Sequence, residues 1–293
     1  QVNGNIGMEA ANFLLEDGSA GIKAINANLP FSLHSPAPEE VQVSFDEEDF
    51  GTIRMENIVL GPAQIEALEL QVAVGDNALY VKDPPELDVL NGKLDIGEVH
   101  AKQLLGPSPE FTSSLSIDGV ELSGLLSTMG LPEVRATINA LFPDLSVSSE
   151  RAGTTGMAKI YALGGTVTIT SASVEQPFSP VRTLVADLEF DRIRLSDFTD
   201  VFNFGTMTGV MGGTVKDLAI SQGQPAAFVA DFQSVETRGI PQTISFDAVE
   251  NISILGTGRG LQATLGRSIF SFIDVFRYDK IGFQTTLKND NFR

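Results

Sequence analysis

Along most of this chain, apolar and polar residues alternate with a period of two, the mark of strands with one buried face. Val41, Val43 and Phe45 alternate with Gln42 and Ser44. Leu68, Leu70, Val72 and Val74 alternate with Glu69, Gln71 and Ala73, and Gly75-Asp-Asn77 turns the chain into Leu79–Lys82. In Ile53–Leu60 the phase changes once, between Met55 and Ile58, which predicts a bulge. Phe13–Glu16 and Ile22–Leu29 read as short strands about Glu16–Ser19, and Ser35–Glu40 as a proline-bearing loop. Ile281–Leu287 reads as a strand entering a turn, as if the chain were a piece of something longer.

Three dipeptides predict tight hairpins: Asn91-Gly92, Gly164-Gly165 and Gly212-Gly213. An alternating strand follows each, through Leu94/Ile96, Val167/Ile169 and Val215 with Leu218/Ile220. Gly92 and Gly165 are 73 residues apart, and so are Leu115 and Leu188. At that offset Leu115, Ile117, Val120, Leu122 and Leu125 fall on Leu188, Phe190, Ile193, Leu195 and Phe198. Each copy is a strand that shifts phase at Asp118-Gly119 or Asp191-Arg192, then meets a serine, Ser123 or Ser196, placed to cap a helix. The stretch Leu184–Ile220 is the fuller copy, and Ile244–Ile254 a weaker third.

Helical inserts follow the copies. They are Leu125–Met129 with Pro132–Phe142, then Phe198, Val201 and Phe202, then an amphipathic helix through Leu265, Ile269, Phe272 and Phe276. The expectation is a mainly β chain: an extended, curled antiparallel sheet, a β-groove, built from repeated hairpins with a few short helices. It forms one elongated domain, residues 1–293, in units of about 41–125, 126–198 and 199–293.

Composition narrows the function. A formal charge of −19 offers no basic footprint for nucleic acid and no polybasic patch for anionic lipid headgroups. The absence of cysteine removes disulfides, thiolate metal sites and Cys nucleophiles, and suits a reducing cytosol or a periplasm equally. No apolar run reaches the length of a membrane-spanning helix. Nineteen Phe against three Tyr and no Trp favours purely apolar faces.

Candidate chemistry is thin. His34 and His100 read as isolated surface histidines, and Asp46–Asp49 as a solvated acidic turn without calcium-loop spacing. Asp187 and Glu189 share the wet side of a strand opposite Leu188 and Phe190. Gly256-Thr-Gly258-Arg-Gly260 lacks the third glycine of a dinucleotide loop and reads as a turn. No catalytic, cofactor or metal residue is expected.

What remains is the apolar side of the strands. The candidate residues are Val43, Phe45, Leu68, Leu70, Val72, Leu94, Ile96, Val167, Ile169, Leu188, Phe190, Phe228, Phe232, Ile244 and Phe246. Alternation alone leaves two architectures open, a sealed sandwich core and a curled sheet whose inner face takes acyl chains.

The pattern Leu188-Glu-Phe-Asp-Arg-Ile-Arg-Leu195, then Gly205-Thr-Met-Thr-Gly-Val-Met-Gly-Gly213, Thr-Val-Lys-Asp-Leu218 and Gly223-Gln-Pro-Ala-Ala-Phe228 resembles the C-terminal region of AsmA-like bacterial envelope proteins. Phe276–Phe283 is similar to a later part of that region, so the resemblance spans about Val167–Arg293. It implies a non-catalytic, bridge-like carrier in the periplasm of a Gram-negative bacterium. Its partners would be phospholipid acyl chains and envelope proteins. An inner-membrane anchor would lie outside this chain. The competing expectations are an interaction module that pairs through sheet edges and a hydrolase of envelope glycans.

Overall fold

A computed structural model describes residues 2–15, 20–34, 45–106, 108–128, 134–203, 205–257, 275–288 and 291–292. Strand accounts for 68% of it and helix for 9%, so the mainly β expectation holds.

The chain runs as one long meander. It opens with β1 (Val2–Leu14), β2 (Ala20–Leu33), β3 (Phe50–Leu60), β4 (Ala63–Gly75), β5 (Ala78–Lys82) and β6 (Leu87–Val89). Next come β7 (Gly92–Ile96), β8 (Val99–Lys102), β9 (Glu110–Glu121), α1 (Ser123–Thr128) and β10 (Ala136–Val147). Then follow β11 (Arg151–Thr154), β12 (Met157–Ala162), β13 (Gly165–Glu175), β14 (Thr183–Arg194), α2 (Leu195–Phe202), β15 (Met207–Thr208) and β16 (Val210–Ser221). The rest is β17 (Gln224–Val235), β18 (Thr243–Ser245), α3 (Phe246–Thr257), β19 (Val275–Arg277), β20 (Gly282–Lys288) and β21 (Asn291–Phe292).

Eighteen of these strands form a single sheet, and β15, β18 and β19 form a small second one. In the large sheet β5 and β6 share one strand position, as do β7 and β8, and β11 and β12. Pairing is antiparallel except where Phe31 and Ser32 meet Val74 and Gly75 in parallel. The small sheet closes over Leu195, Met207, Ile244 and Ala248, a buried cluster flanked by Met211, Phe276 and Tyr278.

The 73-residue repeat is written into the strand registers. Adding 73 to the bounds of β9 yields those of β14. Leu94 faces Ile117, and Val167 faces Phe190, which are the same pair one repeat on. Gly119 and Arg192 occupy the phase shift with φ of 66° and 52°. In the turns, Leu90-Asn91 and Leu163-Gly164 are left-handed at both positions, which places each hairpin one residue before the predicted dipeptide. The third predicted hairpin does not form. Met211–Thr214 lies inside β16, and the chain turns at Gln222-Gly223 instead.

Side chains cap the bulges. Asn26 Oδ1 accepts the Ala10 N–H at 3.0 Å, and Asn12 Oδ1 the Ala24 N–H at 3.1 Å. Asn139 Oδ1 accepts from Gly119 N at 2.7 Å, and Asp187 Oδ1 from Asp217 N at 2.8 Å. Each thereby satisfies an N–H taken out of the ladder. The bulge predicted in β3 is present: Asn57 has φ 49°, and the ladder to β2 slips there. Gly119 has open space where a Cβ would stand, so Gly119→Ala tests the left-handed backbone alone. We expect a loss of about 1 kcal/mol in denaturant unfolding, and a gain for Arg192→Gly of the same order or smaller.

Asp144 bonds the hydroxyl of Thr155 at 2.7 Å, its N–H at 2.8 Å and the Thr154 hydroxyl at 2.9 Å. These bonds, the Thr155 hydroxyl foremost, hold its carboxyl below the usual value of 3.8. A depressed native pKa adds stability above pH 3.8 that is lost as pH falls through the native value. The Asp144→Ala variant should therefore melt below the parent at pH 7, with the gap narrowing in scans taken below pH 3.8.

Several expectations are corrected. Residues 136–142 extend rather than coil, because Ile138, Ala140 and Phe142 pair across to β9 while Ile138 and Ala140 also pair with β12. Ser196 is not a cap; Arg194 holds that position without a side-chain bond, and Ser196 bonds its neighbour Asp197. The third repeat copy is not a strand: only Thr243–Ser245 extends before α3 begins at Phe246. Gly256 and Thr257 lie on α3, and Gly258, Arg259 and Gly260 of the predicted turn lie outside the described residues. Phe276, predicted at a helix end, lies on β19, and Leu265, Ile269 and Phe272 lie outside the described residues.

Candidate functional site

Residues directly opposite in neighbouring strands share a sheet face. Following those pairs puts most of the candidates on one side. Leu94, Ile117, Ala140, Ala158, Ile169, Leu188, Val215 and Ala230 form an unbroken apolar row across eight adjacent strand positions. At the spacing of neighbouring strands that row is about 34 Å long. A second row joins Ile138, Ile160, Val167, Phe190, Gly213, Phe232 and Phe283. In the first strands Met8, Ala27, Ile53 and Leu70 make a third.

The opposite face is polar. Lys159, Thr168, Glu189, Thr214, Asp231 and Gln284 form the row behind Leu188 and Phe190. Gln284 bonds Asp231 at 2.8 Å there, and Ser171 bonds Asp187 at 3.0 Å.

Gly213 lets the aromatic part of the apolar face assemble. Phe190 and Phe232 flank it on either side, and their rings meet edge-on with centroids 5.0 Å apart. Phe232 then stacks on Phe283, again at 5.0 Å. A Cβ on Gly213 would stand 2.6 Å from the Phe232 ring, so the strand needs glycine at this close approach.

The face is covered only in part. Leu68, Leu70, Leu94, Ile96, Val167, Ile169, Leu188, Phe190 and Phe228 are half-buried, while Val72 and Phe232 are buried by their neighbours. The buried cluster of Leu29, Val72 and Val81 draws on nearby strands of the same sheet, with Ile53, Leu70 and Val99 around it. The accessible surface is 18,711 Å², against roughly 12,000 Å² for a compact chain of 31.3 kDa.

Four candidates fall elsewhere. Val43 lies outside the described residues. Phe45 precedes a short 3-10 turn, Glu47–Asp49, instead of standing on a strand, and stacks on Tyr80 on the polar side. Ile244 is sealed in the small-sheet cluster, and Phe246 opens α3. The rows also contain residues that sequence reading passed over. Ile138 was masked by the i, i+4, i+7 spacing of Val134, Ile138 and Leu141, which mimics a helix, although Thr137–Ala140 also alternates. Ile160 is announced by its alternation with Lys159 and Tyr161.

The titratable groups serve local structure. His34 is not isolated: its Nδ1 lies 2.8 Å from Asp76, whose other oxygen accepts the His34 N–H at 2.7 Å. His100 stacks on Tyr80 with centroids 4.6 Å apart. A bond to Glu98, with burial second, pushes the Tyr80 phenol up to about 12. Among the described residues no group of three or more His, Asp or Glu is placed to hold a metal ion. No described helix is long and apolar enough to cross a membrane. Two open clefts, of about 540 and 570 Å³, lie at the Leu163-Gly164 turn, where the lining is mixed, and between α2 and α3, where it is mostly polar. No protein-family model, curated protein or solved structure matches this chain.

Proposed function

We propose that this chain is a non-catalytic lipid-binding and lipid-transfer module whose apolar sheet face, curled into a groove, takes phospholipid acyl chains. The observation that supports the reading is the set of continuous apolar rows, their larger side chains mostly half-buried and Ala140, Ala158, Ala230 and Phe232 buried among them, backed by a polar face. An acyl chain reaches about 15 Å, half the hydrocarbon core of a bilayer, and the longest row is about twice that. Each methylene moved from water onto the face contributes roughly 0.8 kcal/mol, while the headgroup stays in solvent. Binding is thus passive and shared among many side chains.

The setting proposed with it is the periplasm of a Gram-negative bacterium, in an AsmA-like protein anchored in the inner membrane through parts outside this chain. Envelope proteins would supply and receive the lipid.

Native mass spectrometry of the freshly purified protein tests the core of the reading. Co-purifying phospholipid is the expected result. A spectrum unchanged by delipidation, together with no uptake of a fluorescent fatty acid, would rule the reading out.

A further inference from the structure

The second repeat copies an exposed feature of the first. Gln103-Leu-Leu-Gly-Pro107 and Gln176-Pro-Phe-Ser-Pro180 lie 73 residues apart. In both, the glutamine is left-handed, with φ of 55° and 51°. Its carbonyl accepts the N–H three residues on, from Gly106 at 2.8 Å and from Ser179 at 2.9 Å. The third residue of each turn stands in water. Leu105 is 87% exposed and Phe178 64%, the highest values among the described large apolar residues. Each turn is braced by a neighbouring one, again at equivalent residues. Asn77 accepts from Leu104 N through its carbonyl at 3.2 Å and from Leu105 N through Oδ1 at 2.6 Å, and the Glu150 carbonyl accepts from Gln176 N at 2.7 Å. A single apolar side chain at the surface needs no reason. One held out twice, at the same place in a repeat, does.

We propose that the Leu105 and Phe178 turns are membrane-contact tips, which seat this margin of the sheet on a zwitterionic lipid bilayer. Both lie on the margin opposite α1, α2 and the hairpins at Asn91 and Gly164. They open β9 and β14, four strand positions apart, which is about 19 Å. Between them comes the polar turn Ser148–Glu150, and beyond Phe178 the turn Gln222-Gly223, so the apolar points are separate. A fluid bilayer takes separate wedges without matching pockets, whereas a stable protein interface needs roughly 800 Å² of continuous surface on each partner. Charge agrees. Beside the tips Lys102 and Arg182 offset Glu110 and Glu175, a local balance that suits zwitterionic headgroups. The formal charge of −19 repels anionic lipid and a second copy alike. The inference stands apart from acyl-chain uptake, since it concerns the margin of the sheet and not its apolar rows.

The chain has no tryptophan, so Leu105→Trp and Phe178→Trp each install a single reporter that keeps the apolar bulk. Each variant of the full chain is mixed with phosphatidylcholine vesicles, with Leu125→Trp, on α1 at the opposite margin, as control. We expect the emission of both tip variants to shift to the blue and to be quenched by lipids brominated in the acyl chains. The control should do neither. In flotation with the same vesicles, Leu105→Asp or Phe178→Asp should lower affinity about tenfold, and the two together further. Phosphatidylglycerol in the vesicles should weaken binding. Both positions are exposed, so the fold is spared, as circular dichroism will report. Phe190→Asp, on the sheet face, should float as the parent does, which keeps this result separate from the test of lipid uptake. Unshifted emission from either tip variant, or flotation untouched by the double aspartate variant, would overturn the inference. So would loss of flotation on Phe190→Asp with the tips intact, a requirement for phosphatidylglycerol, or a homodimer in light scattering that the double variant dissolves.

Discussion

Phe190→Asp is expected to lower uptake of a fluorescent fatty acid about tenfold while leaving the β signal in circular dichroism intact. Phe190 is half-buried and lies mid-row between Val167 and Gly213, with the Phe232 ring beside it. A carboxylate there would put a charge against the acyl chain with no partner on that face, and a loss of about 1.4 kcal/mol already corresponds to tenfold. Glu189→Ala, one residue away on the polar face, should leave uptake unchanged. Leu70→Asp extends the test to the other end of the sheet, where Leu70 packs beside Val72 and Ile53. If Phe190→Asp binds lipid as the parent does, the apolar rows are not the binding surface.

The second large effect is on stability. Gly213→Val should cost about 3 kcal/mol in denaturant unfolding, because its side chain must displace the Phe232 ring and crowd the Asp231 carbonyl. Pairing it with Phe232→Ala separates the two contributions. Removing the ring relieves part of the clash, so the double variant should lose less than the sum of the single losses. Strict additivity would show that glycine serves β16 for a reason other than the ring above it.

That same glycine shows where sequence reading reached and where it stopped. Asn91-Gly92 and Gly164-Gly165 do mark turns, displaced by one residue, because Leu90 and Leu163 accept the left-handed backbone. Gly212-Gly213 carries the same local signal and sits mid-strand. Gly213 answers to an aromatic contact made by a residue about twenty positions later. Local pattern reads backbone demand and is blind to such a partner. The repeat was legible because equal spacing needs no structure, and the registers of β9 and β14 reproduce it. The third copy misled because Ile244, Phe246 and Ile254 fit a strand phase, yet the chain coils from Phe246 and seals Ile244 against Leu195. The candidate face was legible residue by residue, but its continuity depends on register, which only the paired strands reveal.

The repeated register has a consequence for how such a molecule can vary. Each unit of 73 residues hands the next one the same pairing and the same side facing up. It adds four strand positions, about 19 Å of sheet. Duplication or loss of a whole unit would change the reach of the apolar track in steps of that size, with no interior side chain needing to adapt. A one-residue slip that no bulge absorbs would turn that strand's apolar residues to the other face. Reach is therefore a quantised property of this chain, tunable by copy number.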